Sequence, residues 1–516
     1  MQSGMKIDMR MRSEAAALAV IFAAAGCSGG GEKAADGATG GKDEKPAASA
    51  PSRWAADPYP STYSPYPSTA TVIRGATILT GAGERIDNGV VIMENGEISA
   101  VGAADLAAPE GAAVIDGKGK WVTPGIIDIH SHLGDYPSPS TDSTSDGNEA
   151  TSPNTSQVWA EHSIWPQDAG FTRALAGGVT ALQVLPGSAN LFGGRSAILK
   201  NVPSRTVQGM KFPGAPYGLK MACGENPKRV YGDEGGPSTR MANFAGYRAA
   251  WIEAADYKKK WEKYWDEKDA FDKKSGDGKK AAKADAAADE PEAPTRDLKL
   301  ETLAMALNGD ITVNMHCYRA DEMAQVIDMA KEFGYKVATF HHAVEAFKVA
   351  DLLAQNGICA AVWADWWGFK LEAYDSVREN AALVDTVKLG DETLNGCAII
   401  HSDDEIGIQR LNQEAGKAMA DGNRMGLKIT PEHAIKWLTL NPANAMRIGD
   451  RTGSLEPGKM ADVVIWSANP FSVYAKAEKV FIDGALLYDA DDPARSPRVD
   501  FEIGQHGQGF TGGSGQ

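Results

Sequence analysis

Eight short apolar segments between residues 123 and 451 constrain the fold more than any other feature of this chain. They read GIIDIH, GVTALQVL, SAILK, YGLKMAC, ITVNMHC, KVATFHH, GICAAVW and GCAIIH. Segments with apolar residues at helical spacing, such as ADEMAQVIDMAKEFG, lie between several of them. Strands that alternate with helices are typical of βα units. Eight parallel units predict a closed, TIM-like (β/α)8 barrel of the α/β class.

Both flanks of the chain have a different pattern, in which β-branched residues alternate with turn residues. Residues 68–102 read STATVIRGATILTGAGERIDNGVVIMENGEISAVG, and the segments GSLEPGKMADVVIWSANPF and AKAEKVFIDGALLYD lie near the other end. Such runs, separated by turns such as Asn95-Gly96, indicate antiparallel strands. We therefore predict one small β-sandwich domain, residues 67–122 plus 452–492, into which the barrel, residues 123–451, is inserted.

The N-terminal region has the pattern of an export signal. Residues 1–27 contain a basic start, a short apolar run and small residues before Cys27. The ending AAGC resembles a bacterial lipoprotein signal, in which the cysteine receives the lipid. Residues 28–66 are expected to be a flexible linker, and residues 493–516 a flexible tail. We expect a periplasmic protein that reaches the membrane only through a lipid on Cys27; simple cleavage to a soluble exported protein is the alternative.

A charged insertion, residues 251–297, interrupts the barrel pattern. It begins as a helix with Tyr257, Trp261 and Trp265 on one face, and continues as an Ala-, Lys- and Asp-rich stretch of low complexity. We expect a solvated surface insertion. The alternative is a helix that docks a partner or caps the substrate.

Charge and cysteine content narrow the function classes. The formal net charge of −16 argues against nucleic acid as a partner, because phosphate binding requires a basic field. No apolar run approaches the roughly 20 residues of a membrane-spanning helix. Besides Cys27, the cysteines are Cys223, Cys317, Cys359 and Cys397, and they form no CxxC motif. We expect buried free thiols, although an exported protein could pair two of them.

Ionisable side chains recur where the predicted barrel strands end. They are His130 and His132 on the first strand, Lys220 on the fourth, His316 on the fifth, His341 and His342 on the sixth, and Asp403 after the eighth. Residues two apart on a strand point to the same side, so His130 and His132 face one space. Catalytic groups of a parallel barrel collect at the carboxyl ends of its strands. The pattern therefore predicts a metal site at that end.

Residues 68–490 resemble the amidohydrolase superfamily, and most closely its imidazolonepropionase-like branch, which includes exported dipeptidase-type members. The motifs that carry the resemblance are VTPGIIDIHSHLG, GVTALQVLPGSANLFGG, GLKMACGENPKRVYG, HHAVEAFKVADLLAQNG, SDDE and LTLNPANAMRIGDRTGSLEPGKMADVVIW. The last motif is the most specific, because it leads the chain from the barrel back to the small β-domain.

The resemblance implies a set of metal ligands. They are His130, His132 and Asp403 for a first ion, His316 and His342 for a second, and Lys220, carboxylated, as the bridge. A carboxylated lysine offers two anionic oxygens, where a free ammonium would repel metal ions. Imidazole and carboxylate ligands suit zinc. Three alternatives stay open: Glu225 as the bridge, His341 in place of His342, or a single ion.

The expected reaction is hydrolysis of a C–N amide-type bond in a small amide or peptide. Metal ions lower the pKa of bound water and polarise a carbonyl oxygen. Asp403 would accept a proton from that water and pass it to the leaving group. Deamination or cyclic-amide hydrolysis of the imidazolonepropionase type, with one ion, is the first alternative. A catalytically inactive, lipid-anchored binding protein is the second.

The loops after the strands supply candidates for substrate binding, which are Arg229, Tyr231, His401, Trp366 and Lys370. A cation beside an aromatic wall would hold a carboxylate. This favours a dipeptide or an N-acyl amino acid over a cyclic amide. Association into a homo-oligomer stays open.

Overall fold

The computed structural model describes residues 53–54, 57–138, 140–276 and 290–496. In chain order, the strands are β1 Thr71–Leu79, β2 Arg85–Glu94, β3 Glu97–Gly102, β4 Ala113–Asp116, β5 Trp121–Pro124, β6 Ile126–Ser131, β7 Val179–Val184, β8 Phe192–Lys200, β9 Gly218–Ala222, β10 Thr312–Cys317, β11 Val337–His342, β12 Cys359–Val362, β13 Lys388–Leu389, β14 Glu392–Thr393, β15 Ala398–Ile400, β16 Val463–Trp466, β17 Ala477–Ile482 and β18 Ala485–Asp489. The expected signal, residues 1–27, lies outside the described residues.

All α-helices in the described residues lie between β6 and β16. They are α1 Ala169–Ala176, α2 Glu225–Tyr231, α3 Arg240–Gly276, α4 Leu298–Asn308, α5 Ala320–Phe333, α6 Ala350–Gln355, α7 Asn380–Asp385, α8 Leu411–Arg424, α9 Pro431–Ala434 and α10 Leu440–Ala445. None of the helices in the described ranges combines the length and apolar character that crossing a bilayer requires.

One eight-stranded sheet, which we call the flanking sheet, joins the two ends of the described chain. Its order is β18-β17-β16-β5-β1-β2-β3, with β4 paired to β1. The junction is the antiparallel pair β5–β16, in which Pro124 lies opposite Val463. Apolar side chains from both ends, such as Ile73, Val122 and Phe481, pack into one core cluster. Strands distant in sequence therefore share one buried face.

The second eight-stranded sheet forms the barrel, in the order β6-β7-β8-β9-β10-β11-β12-β15. Each of the eight apolar segments found in the sequence contributes one strand. Its two end strands approach each other where the Asp403 amide donates to the His130 carbonyl oxygen, at 3.0 Å. This nearly closed barrel sheet, with helices between its strands, confirms the expected fold class.

The strands of the barrel are not all parallel, as we had expected. Strand β8 pairs antiparallel with β7 and with β9. The reason is the connection: only residues 185–191, without a helix, separate β7 from β8. A parallel neighbour needs a crossover of a dozen or more residues, whereas a short link reverses the chain. The third βα unit is therefore absent.

The expectation of free thiols was wrong. Cys223 is bonded to Cys317, and Cys359 to Cys397, with Cα atoms 5.2 and 4.6 Å apart. Each pair continues the register of two neighbouring parallel strands, β9 with β10 and β12 with β15. Sequence separation hides this proximity, because only the barrel register places the members of each pair side by side.

The expected linker is held against the barrel over its last ten residues. The Ser61 hydroxyl donates to the Lys211 carbonyl oxygen at 2.7 Å, and the Tyr66 hydroxyl to that of Pro203 at 2.6 Å. Lys211 also pairs with Asp57. Residues 57–66 therefore belong to the folded body, since their polar and aromatic side chains have specific partners there.

Candidate metal centre

The ends of the barrel strands bring most of the expected ligands to one place. Asp403 Oδ1 lies 3.3 Å from His130 Nε2 and 3.2 Å from His132 Nε2, and Asp403 Oδ2 lies 3.8 Å from His342 Nδ1. The rings of His316 and His342 have centroids 4.5 Å apart. Residues separated by more than 270 positions therefore converge at the carboxyl end of the barrel, as expected for a radial site.

Two overlapping groups of side chains have ligand atoms within 4.8 Å of one another. One consists of His130, His132 and Asp403, and the other of His130, His342 and His401. His401 was expected to orient Asp403 or to contact the substrate, and not to bind a metal ion. The sequence could have predicted that His401 lies in this ligand group, because His401 and Asp403 are two residues apart after the same strand.

The centre fits a divalent metal ion on the evidence of its unpaired nitrogens. His316 Nδ1, His342 Nδ1 and both ring nitrogens of His401 are buried and have no hydrogen-bond partner among the described residues. Such atoms are costly to bury unless something pairs with them. Burial lowers the pKa of His401 to about 4 and that of His316 and His342 well below the ordinary value. Neutral imidazoles with free lone pairs are the donors that zinc takes.

Backbone and neighbouring groups orient the first two histidines. His132 Nδ1 donates to the Leu185 carbonyl oxygen at 2.7 Å, which leaves Nε2 facing Asp403. His130 Nδ1 and His341 Nδ1 share a hydrogen bond of 2.9 Å, and His341 Nε2 is 3.1 Å from the side-chain oxygen of Asn314. Outer partners of this kind fix the ring and its tautomer.

The same contacts bear on the choice between the two adjacent histidines. Both nitrogens of His341 have partners, whereas His342 Nδ1 has none and points towards Asp403. The geometry favours His342 as the ligand and His341 as the residue that positions His130.

Lys220 is buried at the centre of this group. Its Nζ lies 2.9 Å from the Pro186 carbonyl oxygen and 3.4 Å from His130 Nε2. Burial lowers the pKa of Lys220 to about 7, so a neutral amine is accessible near neutral pH. Glu225, the alternative bridge, is instead at the rim, 3.7 Å from Lys370.

Asp403 remains a carboxylate despite its surroundings. Burial alone would raise its pKa, but the hydrogen bond with His132 and the charges of His132, His401 and Lys220 hold the pKa below its ordinary value. An ionised carboxylate at this position can accept a proton.

Two of the ligand candidates have left-handed backbone conformations. His342 has φ 69° and Asp403 has φ 53°. This region is uncommon for residues other than glycine, and such strain concentrates at functional sites. Both side chains turn towards the centre at these positions.

Sequence reasoning missed Asp128, which ties the first and last barrel strands together. It is fully buried, and its carboxylate accepts from the His130 amide at 3.1 Å and from the Ser402 hydroxyl and amide. Burial raises the pKa of Asp128 to about 7. The signal was present, since Asp128 lies two residues before His130 and shares its face.

A cavity of about 390 Å³ opens above the centre. Its lining includes His132, His316, His342, Asp403, Tyr136, Asn148, Tyr318, Phe369, Lys370, Glu225, Asn226 and Arg229. Helix α2 contributes Glu225, Asn226 and Arg229 because residues three and four apart share one helix face. The Lys370 ammonium lies 2.9 Å from the side-chain oxygen of Asn226 and 4.1 Å from the Tyr318 ring centroid.

Three of the expected substrate contacts do not line this cavity, and one of them, His401, lies instead among the possible metal ligands. Tyr231 is two residues after Arg229, about 200° around the helix, and is buried behind it. Trp366 stacks on Trp363, which in turn stacks on His342, but Trp366 itself is half-exposed outside the lining. Tyr231 therefore has a packing role, and Trp366 supports the wall from outside.

Comparison with known proteins agrees with this geometry. The model of the family described as "Amidohydrolase family" matches residues 121–487. The chain belongs to the amidohydrolase family. The structure is similar to that of an amidohydrolase from Thermotoga maritima MSB8, with 34% identity and a TM-score of 0.69 over 81% of this chain and 100% of that one.

Two curated relatives are similar to parts of this chain. Amidohydrolase tasK of Hapsidospora irregularis is 31% identical over 419 residues, which are 78% of this chain. The match spans only 40% of the length of that relative. A 5-methylthioadenosine/S-adenosylhomocysteine deaminase of Bacillus cereus (strain AH820) is 36% identical over 126 residues, which are 22% of this chain and 25% of the deaminase.

Proposed function

We propose that this amidohydrolase is a metal-dependent enzyme that cleaves the amide bond of a small carboxylate-bearing substrate, either a dipeptide or an N-acyl amino acid. The observation that carries the proposal is the position of Asp403. Its carboxylate is within 3.8 Å of nitrogens of His130, His132 and His342, at the floor of the cavity. The resemblance to the imidazolonepropionase-like branch is part of this proposal.

The chain offers ligands for two ions, and we propose zinc. His130, His132 and Asp403 would hold the first, and His316 and His342 the second, with carboxylated Lys220 between them. When bound, such ions lower the pKa of water and polarise a carbonyl oxygen.

Asp403 would handle the proton of the reaction. As an ionised carboxylate, it accepts the proton of the attacking water, and once protonated it donates that proton to the leaving amine. Its left-handed backbone and the hydrogen bond from its amide to the His130 carbonyl oxygen hold it at this position.

Substrate selection would rest on the cations at the rim. Arg229 belongs to α2, Lys370 contacts Asn226 of the same helix, and both line the cavity together with Asp403. They would bind the substrate carboxylate, while Tyr318 and Phe369 pack against its apolar part. The rim has two cations, Arg229 and Lys370, against one carboxylate, Glu225, and this excess is the reason to place a carboxylate-bearing amide before a neutral cyclic amide.

A one-ion deaminase is the second candidate, and two observations favour it. His130, His132 and Asp403 form a sufficient ligand group by themselves, and a deaminase is among the relatives. Metal analysis separates the two functions, because two equivalents per chain support the lysine bridge and one equivalent supports the deaminase type.

We also propose that the protein is exported and anchored through a lipid on Cys27. The two disulfides support an oxidising compartment, since disulfides are rare in the bacterial cytosol. Mass spectrometry of the N-terminal peptide of the native protein tests this. An unmodified peptide that still includes residues before Cys27 would contradict it.

The decisive experiment compares activity and metal content in three proteins reloaded with zinc and bicarbonate. The wild type should release amino acids from a library of dipeptides and N-acyl amino acids, and the Asp403→Asn variant should lose about 10²- to 10⁴-fold in turnover. Asp365→Asn removes a carboxylate that pairs with Lys417 away from the centre, and should leave turnover unchanged. Full metal content with wild-type turnover in Asp403→Asn would refute the proposal.

A further inference from the structure

A second cavity, of about 800 Å³, lies between the segment that precedes β1, helix α3 and the loop before α1. None of the residues that line it belongs to the metal centre. We call it the aromatic cavity, because its walls include Trp54, Tyr59, Trp159, Trp261 and Trp265. Its volume falls within the roughly 300–1,000 Å³ of small-molecule sites.

The charged insertion supplies one wall of the aromatic cavity. Trp261 and Trp265 on α3 pack against Trp54, with ring centroids 6.4 and 4.8 Å from it. On the other side, the Tyr59 and Trp159 rings meet edge to face, 5.7 Å apart. Trp54, a residue of the expected linker, therefore covers the aromatic face of α3 that the sequence predicts. Together they form a wall of the cavity.

Arg195 is a buried charged residue in this lining. It is 4% exposed, its Nε donates to the Thr302 hydroxyl at 2.8 Å, and its guanidinium lies 4.1 Å from the Trp159 ring centroid. Within the described part of the chain, no carboxylate forms an ion pair with it. A buried guanidinium has five donors, so most of its hydrogen-bonding capacity remains available.

The other charges of the lining are already compensated. Three ion pairs account for them: Arg53 with Asp269 at 2.6 Å, Arg296 with Glu301 at 2.5 Å, and Asp57 with Lys211 at 2.9 Å. Arg195 has no such ion pair among the described residues, although the charges of Glu301, Glu161 and Asp57 act on it from a greater distance. A buried charge is costly unless it is paired, so an anion of matching shape would relieve that cost.

A buried acceptor lies in the same lining. The side-chain oxygen of Gln157 is inaccessible to solvent and has no hydrogen-bond partner among the described residues. The aromatic cavity thus combines flat apolar walls with one buried arginine that has no ion pair among the described residues. This is the usual composition of a small-molecule site, in which a few polar groups fix the orientation of an apolar body.

We propose that the aromatic cavity binds a planar aromatic carboxylate. The carboxylate pairs with the Arg195 guanidinium, and the ring packs between Trp159 and the Trp54–Trp261–Trp265 wall. The site is separate from the metal centre, so the proposal stands independently of the hydrolytic function.

Isothermal titration of the folded protein with two probes of the same shape tests this site. 2-Naphthoate carries the carboxylate, and 2-naphthalenemethanol replaces it with a neutral hydroxyl. The wild type should bind the naphthoate at least about tenfold more tightly, since hydrogen bonds to charged groups contribute about 1.5–3 kcal/mol. Equal affinity for the two probes, or no binding of either, would overturn the proposal.

Substitutions test whether naphthoate binds in the aromatic cavity or in the cavity above the metal centre. Arg195→Met should abolish the preference for naphthoate, whereas Arg248→Met, on the exposed face of α3, should leave it unchanged. Lys370→Met removes a cation of the metal-centre cavity and should also leave the preference intact. If Arg195→Met fails to fold, Trp261→Leu provides the second measurement and should weaken both probes. Preference lost in Lys370→Met but retained in Arg195→Met would refute the assignment.

Discussion

Lys200 gives the sharpest test of how the barrel and the flanking sheet stabilise each other. Its side chain, at the end of β8, is fully buried, and its ammonium lies 2.7 Å from Asp483 and 3.4 Å from Asp462. Both aspartates adjoin strands of the flanking sheet: Asp462 directly precedes β16, and Asp483 directly follows β17. Lys200→Met keeps the length of the side chain but leaves two buried carboxylates without their cation.

The expected loss in the free energy of unfolding is about 3 kcal/mol at pH 8. Breaking a buried ion pair from one side costs about 3–5 kcal/mol, because the remaining charge stays uncompensated. The structure favours the lower end of that range. Asp483 still accepts from the Tyr63 hydroxyl, and Asp462 still accepts from the Thr452 hydroxyl at 2.7 Å.

The loss should also depend on pH, and its sign follows from Asp483. Burial first, and then the charge of Asp462, raise the pKa of Asp483, while Lys200 lowers it. Without Lys200, the folded-state pKa rises further above that of the unfolded chain. The folded variant then binds extra protons at low pH and loses stability as the pH rises through that folded-state pKa. Its deficit should therefore be smaller at pH 5.5 than at pH 8.

Urea unfolding followed by tryptophan fluorescence, with the disulfides intact, measures these differences. Lys120→Met is the matched control, because Lys120 pairs with Glu478 on the same sheet with about a third of each side chain exposed, and should cost less than about 1 kcal/mol. Lys200→Met/Asp483→Asn should be more stable than Lys200→Met alone. A Lys200→Met protein within 1 kcal/mol of wild type at pH 8, or a deficit independent of pH, would refute the reasoning.

Three further predictions concern the disulfides and the metal centre. Cys359→Ser/Cys397→Ser opens a 38-residue loop and should lower the free energy of unfolding by about 2–4 kcal/mol in the same urea assay, because the unfolded chain gains conformational freedom. Lys220→Met should reduce the metal content from two equivalents to one, as elemental analysis would show; two retained equivalents contradict the lysine bridge. Lys370→Met should raise KM for carboxylate substrates about tenfold with little change in kcat, and an unchanged KM contradicts the carboxylate contact.

The sequence was sufficient for the barrel strands because each is a short, mostly apolar run bounded by turn residues. It was sufficient for His130 and His132 as neighbours because the two-residue period of a strand is local. The direction of β8 was missed, although the ten residues between GVTALQVL and SAILK are too few for a helical crossover. The disulfides could not be read from the sequence, because they depend on the register of separate strands.

The contacts around α2 and α3 show a second limit. Arg229 and Tyr231 are close in sequence, but the helix turns one towards the cavity and the other into the core. The aromatic stripe containing Trp261 was visible in the sequence as an amphipathic pattern. That Trp54 covers it was not, because a single tryptophan in a Gly- and Pro-rich segment has no periodic signal.

The strain at the centre links the stability of the barrel to its chemistry. A left-handed backbone costs about 1–2 kcal/mol per residue outside glycine, and both His342 and Asp403 adopt it. A fold tolerates this only where its surroundings determine the position. Here, the Asp403 amide bonds to the His130 carbonyl oxygen, and the Asp128 carboxylate holds the adjacent Ser402. The contacts that close the barrel are thus the same ones that hold the carboxylate among the histidines, so weakening that closure should displace Asp403 before it unfolds the protein.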